Sequence, residues 1–270
     1  MTPALQISGL RVDIGGQTIL GGIDLVVAPG EAVALVGESG SGKSMTLRAI
    51  AGLLPSSGRA TGSIRLDGAE LNELSVRARR RAVSEAVGMV FQDPREAINP
   101  VRTIGDFLTE ALILARGVSQ KDAGVRARGV LRDVGIADAA TRMEQYPHQL
   151  SGGLLQRVMI ASVLLAEPKI VLADEPTTAL DVITQEEVVA ILDARRREHG
   201  MAMVFVSHDL DLAAAITDRT AVMRAGELVE EGASATLHKQ AQHPYTRALL
   251  AARPVLAPPS DPTQEIRDVC

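Results

Sequence analysis

One octet constrains this chain more than anything else in it. Gly37-Glu38-Ser39-Gly40-Ser41-Gly42-Lys43-Ser44 fits the pattern G-x-x-x-x-G-K-[ST]. It follows a continuous apolar run, Ala32–Val36, and precedes a helical pattern over Lys43–Ala51. Strand, glycine-rich turn and helix in that order make a cradle for phosphate. The glycines let consecutive backbone N–H groups turn inward, and the helix points its positive end at the same spot. Lys43 is placed to reach the β- and γ-phosphates of a nucleotide and Ser44 to hold Mg²⁺. With average residue usage such an octet arises by chance in roughly 1% of chains this long.

The rest of the chain supplies the sheet that such a loop needs. Leu5–Val12, Ile23–Val27 and Ser63–Leu66 read as strands, with a turn at Asp67-Gly68. Val87–Phe91, Ile170–Ala173 and Met203–Val206 read as buried strands. Asp181–His199 and Leu210–Ile216 read as helices, and Thr220–Met223 with Leu228–Glu230 as a hairpin about Ala225-Gly226. Strands alternating with helices predict a mainly parallel sheet covered on both faces. From Asp93 to Ala166 the pattern is almost wholly helical, which predicts a helical subdomain inserted into the alternation.

Composition narrows the class. The 270 residues are 46% apolar and 23% charged, the balance of a soluble globular chain. The net charge of −5 and the 2% aromatic content argue against a nucleic-acid-binding role, since neither a basic footprint nor stacking platforms are provided. The single cysteine, Cys270, excludes an internal disulfide or a cysteine-bound cluster. Met1–Leu10 has neither the basic nor the apolar region of a secretory leader, and the most apolar stretch, Val158–Ala166, is too short to cross a membrane. The basic runs Arg77–Arg81 and Arg195–Arg197 lie in helical patterns, where a solvated face is the default. The tail from Pro254 onward has the composition of a loose segment.

Two more segments carry chemistry. Ile170–Ala173 runs into Asp174 and Glu175. At the C-terminal edge of a parallel sheet, Asp174 could hold Mg²⁺ through water and Glu175 could polarise an attacking water. In Leu150-Ser151-Gly152-Gly153-Leu154-Leu155-Gln156-Arg157, Ser151 is a natural N-cap and the glycines leave a helix N-terminus open, a second anion site.

Together these segments resemble the ATP-binding subunits of ABC transporters. Gln92 matches the family's Q-loop, Ala179-Leu180-Asp181 its D-loop and His208 its switch histidine. The resemblance runs from about Leu5 to Arg247. It implies an α/β P-loop ATPase core with an antiparallel β layer and an inserted helical subdomain at about 93–166. The ATP-binding domain would span 1–241 and a C-terminal extension 242–270. It also implies a head-to-tail dimer with the same or a related chain, trapping two ATP. Gly37–Ser44 of one chain and Ser151, Gly152, Gly153 and Asp181 of the other would hold each nucleotide. Glu175 would orient water, His208 contact the γ-phosphate and Gln92 sense it, with Ser44, Gln92 and Asp174 around Mg²⁺. Members usually stack adenine on an aromatic residue just past the first strand; here that position is Ile14, which offers dispersion only.

Gln92–Pro100, Tyr146–Gln149 and His243–Leu250 resemble importers of dipeptides, oligopeptides and nickel. The absence of a cysteine cluster after Leu250, and Leu155 where peptide members often carry Arg, favour nickel or metal-chelate import over peptide import. Two permease subunits and an extracytoplasmic solute-binding protein are then implied, with this chain peripheral at the cytoplasmic face of the cell membrane. The alternative is a non-transport ABC ATPase such as a carbon–phosphorus lyase-associated subunit. His243–Leu250 also reads as a short helix started by Pro244 and packed on the core.

Overall fold

The computed structural model describes residues 2–176 and 182–252. Asp181, its neighbours Ala179 and Leu180, and the tail with Cys270 lie outside the described residues. In chain order the described strands and α-helices begin with β1 (Leu5–Ile14), β2 (Gln17–Val27), β3 (Ala32–Val36) and α1 (Lys43–Ile50). β4 (Gly58–Leu66), β5 (Ala69–Glu70), α2 (Val76–Ala86) and β6 (Val87–Val90) follow. A helical stretch comes next: α3 (Ile104–Arg116), α4 (Gln120–Asp133), α5 (Ala139–Glu144) and α6 (Gly152–Ala166). The chain then returns to alternation through β7 (Ile170–Asp174), α7 (Val182–His199), β8 (Ala202–Val206) and α8 (Leu210–Ile216). It continues through β9 (Arg219–Arg224), β10 (Glu227–Ala233), α9 (Ser234–Gln240) and α10 (Pro244–Ala251).

Two sheets result. The larger has the order β10-β9-β3-β8-β7-β6; all its pairings are parallel except the edge hairpin β9–β10. The smaller is antiparallel, with the order β2-β1-β4-β5. The three central parallel strands, AVALV, IVLAD and AMVFV, are buried along their whole length. Continuous apolar runs belong in such a position because both faces are covered.

Alternation along those strands divides two cores. Ala32, Ala34, Val36, Val171, Ala173, Met203 and Phe205 face the core shared with α3, α4, α6 and α7. Val33, Leu35, Ile170, Leu172, Val204 and Val206 face the one shared with the antiparallel layer and α1. The period of two does this, since successive side chains leave opposite faces of a strand.

Two readings need correction. β1 and β2 are longer than the sequence pattern suggested: they meet at a two-residue turn, Gly15-Gly16, with Ile14 opposite Gln17. The basic run on α7 is not simply solvated. Arg196 is 2% exposed, pairs with Asp193 at 2.8 Å and donates to the Gly30 carbonyl. By contrast α2, with Arg77–Arg81, buries no residue fully. Among the described residues no helix is long and apolar enough to cross a membrane.

Candidate nucleotide site

Four parallel strands end on one edge and deliver the site. β3 runs into Gly37–Ser44, β7 ends at Asp174 and Glu175, β8 leads to His208, and β6 leads to Gln92. A cleft of about 440 Å³ there is lined by Gly37, Ser39, Gly40, Gly42, Lys43, Ser44, Gln92, Glu175 and His208, with Ile19 and Met45. Strand C-termini in an open parallel sheet are where ligands bind.

The loop holds its shape by polar contacts with its own residues and with neighbours. Lys43 is 6% exposed and curls back, its Nζ donating to the Gly37 carbonyl at 2.8 Å and the Glu38 carbonyl at 2.9 Å. An ammonium has three protons, so these two bonds leave one for a ligand. Burial lowers the Lys43 pKa, while the carboxylates of Glu175 and Asp174 pull it back up. Behind the loop, the Gly226 N–H donates to the Ser41 carbonyl at 3.0 Å, so the β9–β10 hairpin supports it. The Ser41 hydroxyl is buried and has no hydrogen-bond partner among the described residues.

The residues fit Mg²⁺. Ser44 Oγ donates to Asp174 Oδ1 at 2.7 Å, which sets a hydroxyl beside a 3% exposed carboxylate. Hard oxygen donors of this kind are what Mg²⁺ takes. Burial raises the Asp174 pKa, the Ser44 hydrogen bond opposes that, and the charge of Glu175 adds to it. A nearby cation would relieve this burden.

Glu175 gathers the remaining groups. Gln92 Nε2 donates to its Oε2 at 3.3 Å, and His208 Nδ1 stands 3.6 Å from the same oxygen. The Glu175 backbone is left-handed, φ 44°, an uncommon state for a residue with a side chain. Such strain, roughly 1–3 kcal/mol, persists where surrounding structure fixes a functional group. Here the Glu175 N–H is tied to the Val206 carbonyl at 3.2 Å.

Four expected site residues, Ser151, Gly152, Gly153 and Ile14, stand outside the lining of the cleft. Ser151 caps α6, accepting the Leu154 N–H at 3.4 Å, and neither it nor Gly152 or Gly153 lines the cleft. Ile14 also stands outside the lining, at the end of β1; the apolar side chain that β2 contributes is Ile19. The sequence reading missed Ile19 because it began the second strand at Ile23, although the pair Gly15-Gly16 is a hairpin signal. Leu155 is buried in the α6 core at 1% exposure.

Residues 20–178 match the family model described as ABC transporter. The oligopeptide transport ATP-binding protein OppD of Salmonella typhimurium is 40% identical over 256 residues, covering 93% of this chain and 76% of that protein. The dipeptide transport ATP-binding protein DppD of Escherichia coli is 41% identical over 258 residues, covering 94% and 79%. A dimeric post-hydrolysis structure of the ATP-binding cassette MJ0796 with ADP and Pi matches with a TM-score of 0.77 and 30% identity. It covers 85% of this chain and 98% of that one. The chain belongs to the ABC transporter family, and it is an ATP-hydrolysing cassette.

Proposed function

We propose that this chain is the ATPase subunit of an import complex that takes up di- or oligopeptides through two separate membrane-spanning permeases. The relatives named as oligopeptide and dipeptide transport proteins cover most of the chain, which favours peptides over nickel or metal-chelate substrates. An extracytoplasmic solute-binding protein would deliver the substrate, and the chain would sit at the cytoplasmic face of the membrane. Residues 1–241 form the ATP-binding domain in this reading and 242–270 a C-terminal extension.

The observation that carries the reading is the convergence on Glu175 of Gln92 and His208, facing a loop that holds Lys43 and Ser44. Lys43 would offer its remaining ammonium proton to the phosphates, which would bind against the backbone of Glu38, Ser39, Gly40, Ser41 and Gly42. Ser44, Asp174 and Gln92 would hold Mg²⁺, which when bound neutralises phosphate charge. Glu175 would accept a proton from the attacking water and hold it in line, a task of positioning more than covalent chemistry. His208 would contact the γ-phosphate. Ser151, Gly152, Gly153 and Asp181 would complete the site of a second copy or a related chain.

Glu175→Gln tests this. The substitution preserves shape and removes the carboxylate that handles the water. ATP affinity should stay as in the wild type, turnover should fall at least about 100-fold, and ATP should hold a dimer on a sizing column. Hydrolysis within about threefold of wild type, roughly 0.7 kcal/mol of barrier, would take the role away from Glu175.

A further inference from the structure

The peptide group between Gly37 and Glu38 opens the phosphate loop, and it is gripped at both ends. Lys43 Nζ donates to its carbonyl, Gly37 O, at 2.8 Å. Its N–H, on Glu38, donates to the hydroxyl of Tyr245 at 3.0 Å. Tyr245 stands on α10, 207 residues further along the chain, and is 8% exposed.

Tyr245 is itself held. The Arg224 guanidinium lies over its ring, 5.1 Å from the centroid, a cation–π contact. Arg224 ends β9, two residues before the Gly226 N–H that supports Ser41. α10 is anchored at its start by Glu230, whose carboxylate accepts the N–H groups of Gln242 at 2.6 Å and His243 at 3.2 Å. His243 caps the helix by accepting the Tyr245 N–H at 3.2 Å, and Pro244 opens it. The loop is thus braced from outside at Glu38 and at Ser41 by one connected unit of hairpin and helix.

The two grips do not have equal futures. A nucleotide's phosphates would draw on the same Lys43 ammonium that holds the Gly37 carbonyl and so compete for that grip. The Tyr245 hydroxyl needs no change to keep the same peptide plane oriented. We propose that Tyr245 is a positioning residue for nucleotide binding, its hydroxyl keeping the Gly37–Glu38 peptide from turning when Lys43 engages phosphate. The C-terminal segment then tunes how tightly the site holds nucleotide. This rests on nucleotide occupying the Gly37–Ser44 loop, as read above.

Tyr245→Phe in the full chain removes only the acceptor and keeps the ring over Arg224. With Mg²⁺ present, calorimetry should show ATP and ADP bound about five- to tenfold more weakly, because a loop less well organised in advance must be ordered on binding. The turnover at saturating ATP should stay within about twofold. Amide exchange at Glu38 should quicken, since its N–H loses its partner. Unchanged nucleotide affinity, or unchanged exchange at Glu38, overturns the proposal. So does a lowered melting temperature with normal affinity in the folded protein, which would make Tyr245 a packing residue. Arg224→Met leaves the hydroxyl in place and should weaken binding less than Tyr245→Phe; the reverse order also overturns it. Lys43→Ala separates the two readings. If it binds ATP normally, the loop assignment fails; if it loses ATP while Tyr245→Phe binds as wild type, only the role of Tyr245 fails.

Discussion

Two glycine-bearing helix N-termini, those of α1 and α6, are built on opposite terms. In the Gly37–Gly42 loop, Gly37 and Gly42 are demanded by the packing of the fold. A Cβ on Gly37, at φ +150°, would stand 2.2 Å from the Met223 carbonyl oxygen, and one on Gly42 would stand 2.6 Å from Leu20 Cδ2. The loop is pressed against β2 and the β9–β10 hairpin, and the Gly37 carbonyl, the Glu38 N–H and the Ser41 carbonyl are held by Lys43, Tyr245 and Gly226. At Ser151 and Gly152 the described residues ask for little. Ser151 is exposed and caps α6, and a Cβ on Gly152 would meet none of the described residues within 4 Å. Packing among the described residues does not call for Gly152, at a helix start that already has its cap. That is what a face offered to a second subunit's nucleotide would look like.

Gly37→Ala strains the comparison most. The new methyl group overlaps a backbone oxygen in a conformation that L-residues avoid, so the loop must leave its shape. We expect a loss of stability of about 3 kcal/mol or more in urea unfolding, with ATP binding abolished. Normal stability would mean that the loop is loosely packed and that its glycines serve phosphate alone.

Gly152→Ala should do the reverse. Alanine suits a helix better than glycine, so unfolding should be unchanged or shifted up by less than about 1 kcal/mol. The methyl group would stand on the outward face, and ATP hydrolysis should fall about tenfold or more while binding to the chain's own loop persists. Wild-type hydrolysis with wild-type stability would show that this helix start meets no nucleotide, and the contrast between the two termini would lose its functional meaning.

The sequence revealed the local parts of this architecture and hid the distant ones. The phosphate loop and the strand ending in Asp174 and Glu175 were legible because glycine spacing and unbroken apolar runs are properties of neighbouring residues. The antiparallel hairpin was cut short because Arg11, Asp13 and Thr18 are polar and bond one another on its solvent face, at 2.8 Å and 2.6 Å, which masks the alternation. Arg196 looked like one of three solvated arginines; its burial depends on the carbonyl of Gly30, 166 residues away. The brace from Tyr245 to Glu38 has the same character. The short helix at Pro244–Ala251 could be read from its proline, but not where its tyrosine points.

The smallest expected effect concerns the base. Two isoleucines compete for it: Ile14, at the end of β1, and Ile19, which lines the cleft from β2. If Ile14 is the adenine-facing residue, Ile14→Tyr should tighten ATP by about 0.5–1.5 kcal/mol, the worth of an aromatic contact beyond its area. CTP should gain less, because a pyrimidine offers less surface to stack on. Side-by-side calorimetry of ATP and CTP on the wild type and variant reads this directly. Should the tyrosine tighten neither, Ile19→Ala provides the counter-test: removing a side chain that covers adenine should weaken ATP more than CTP. A selective loss there, with no gain from Ile14→Tyr, would move the base-facing wall from β1 to β2. The ring would then have to lie closer to the β2 side of the loop, where Leu20 and Gly226 already crowd Gly42.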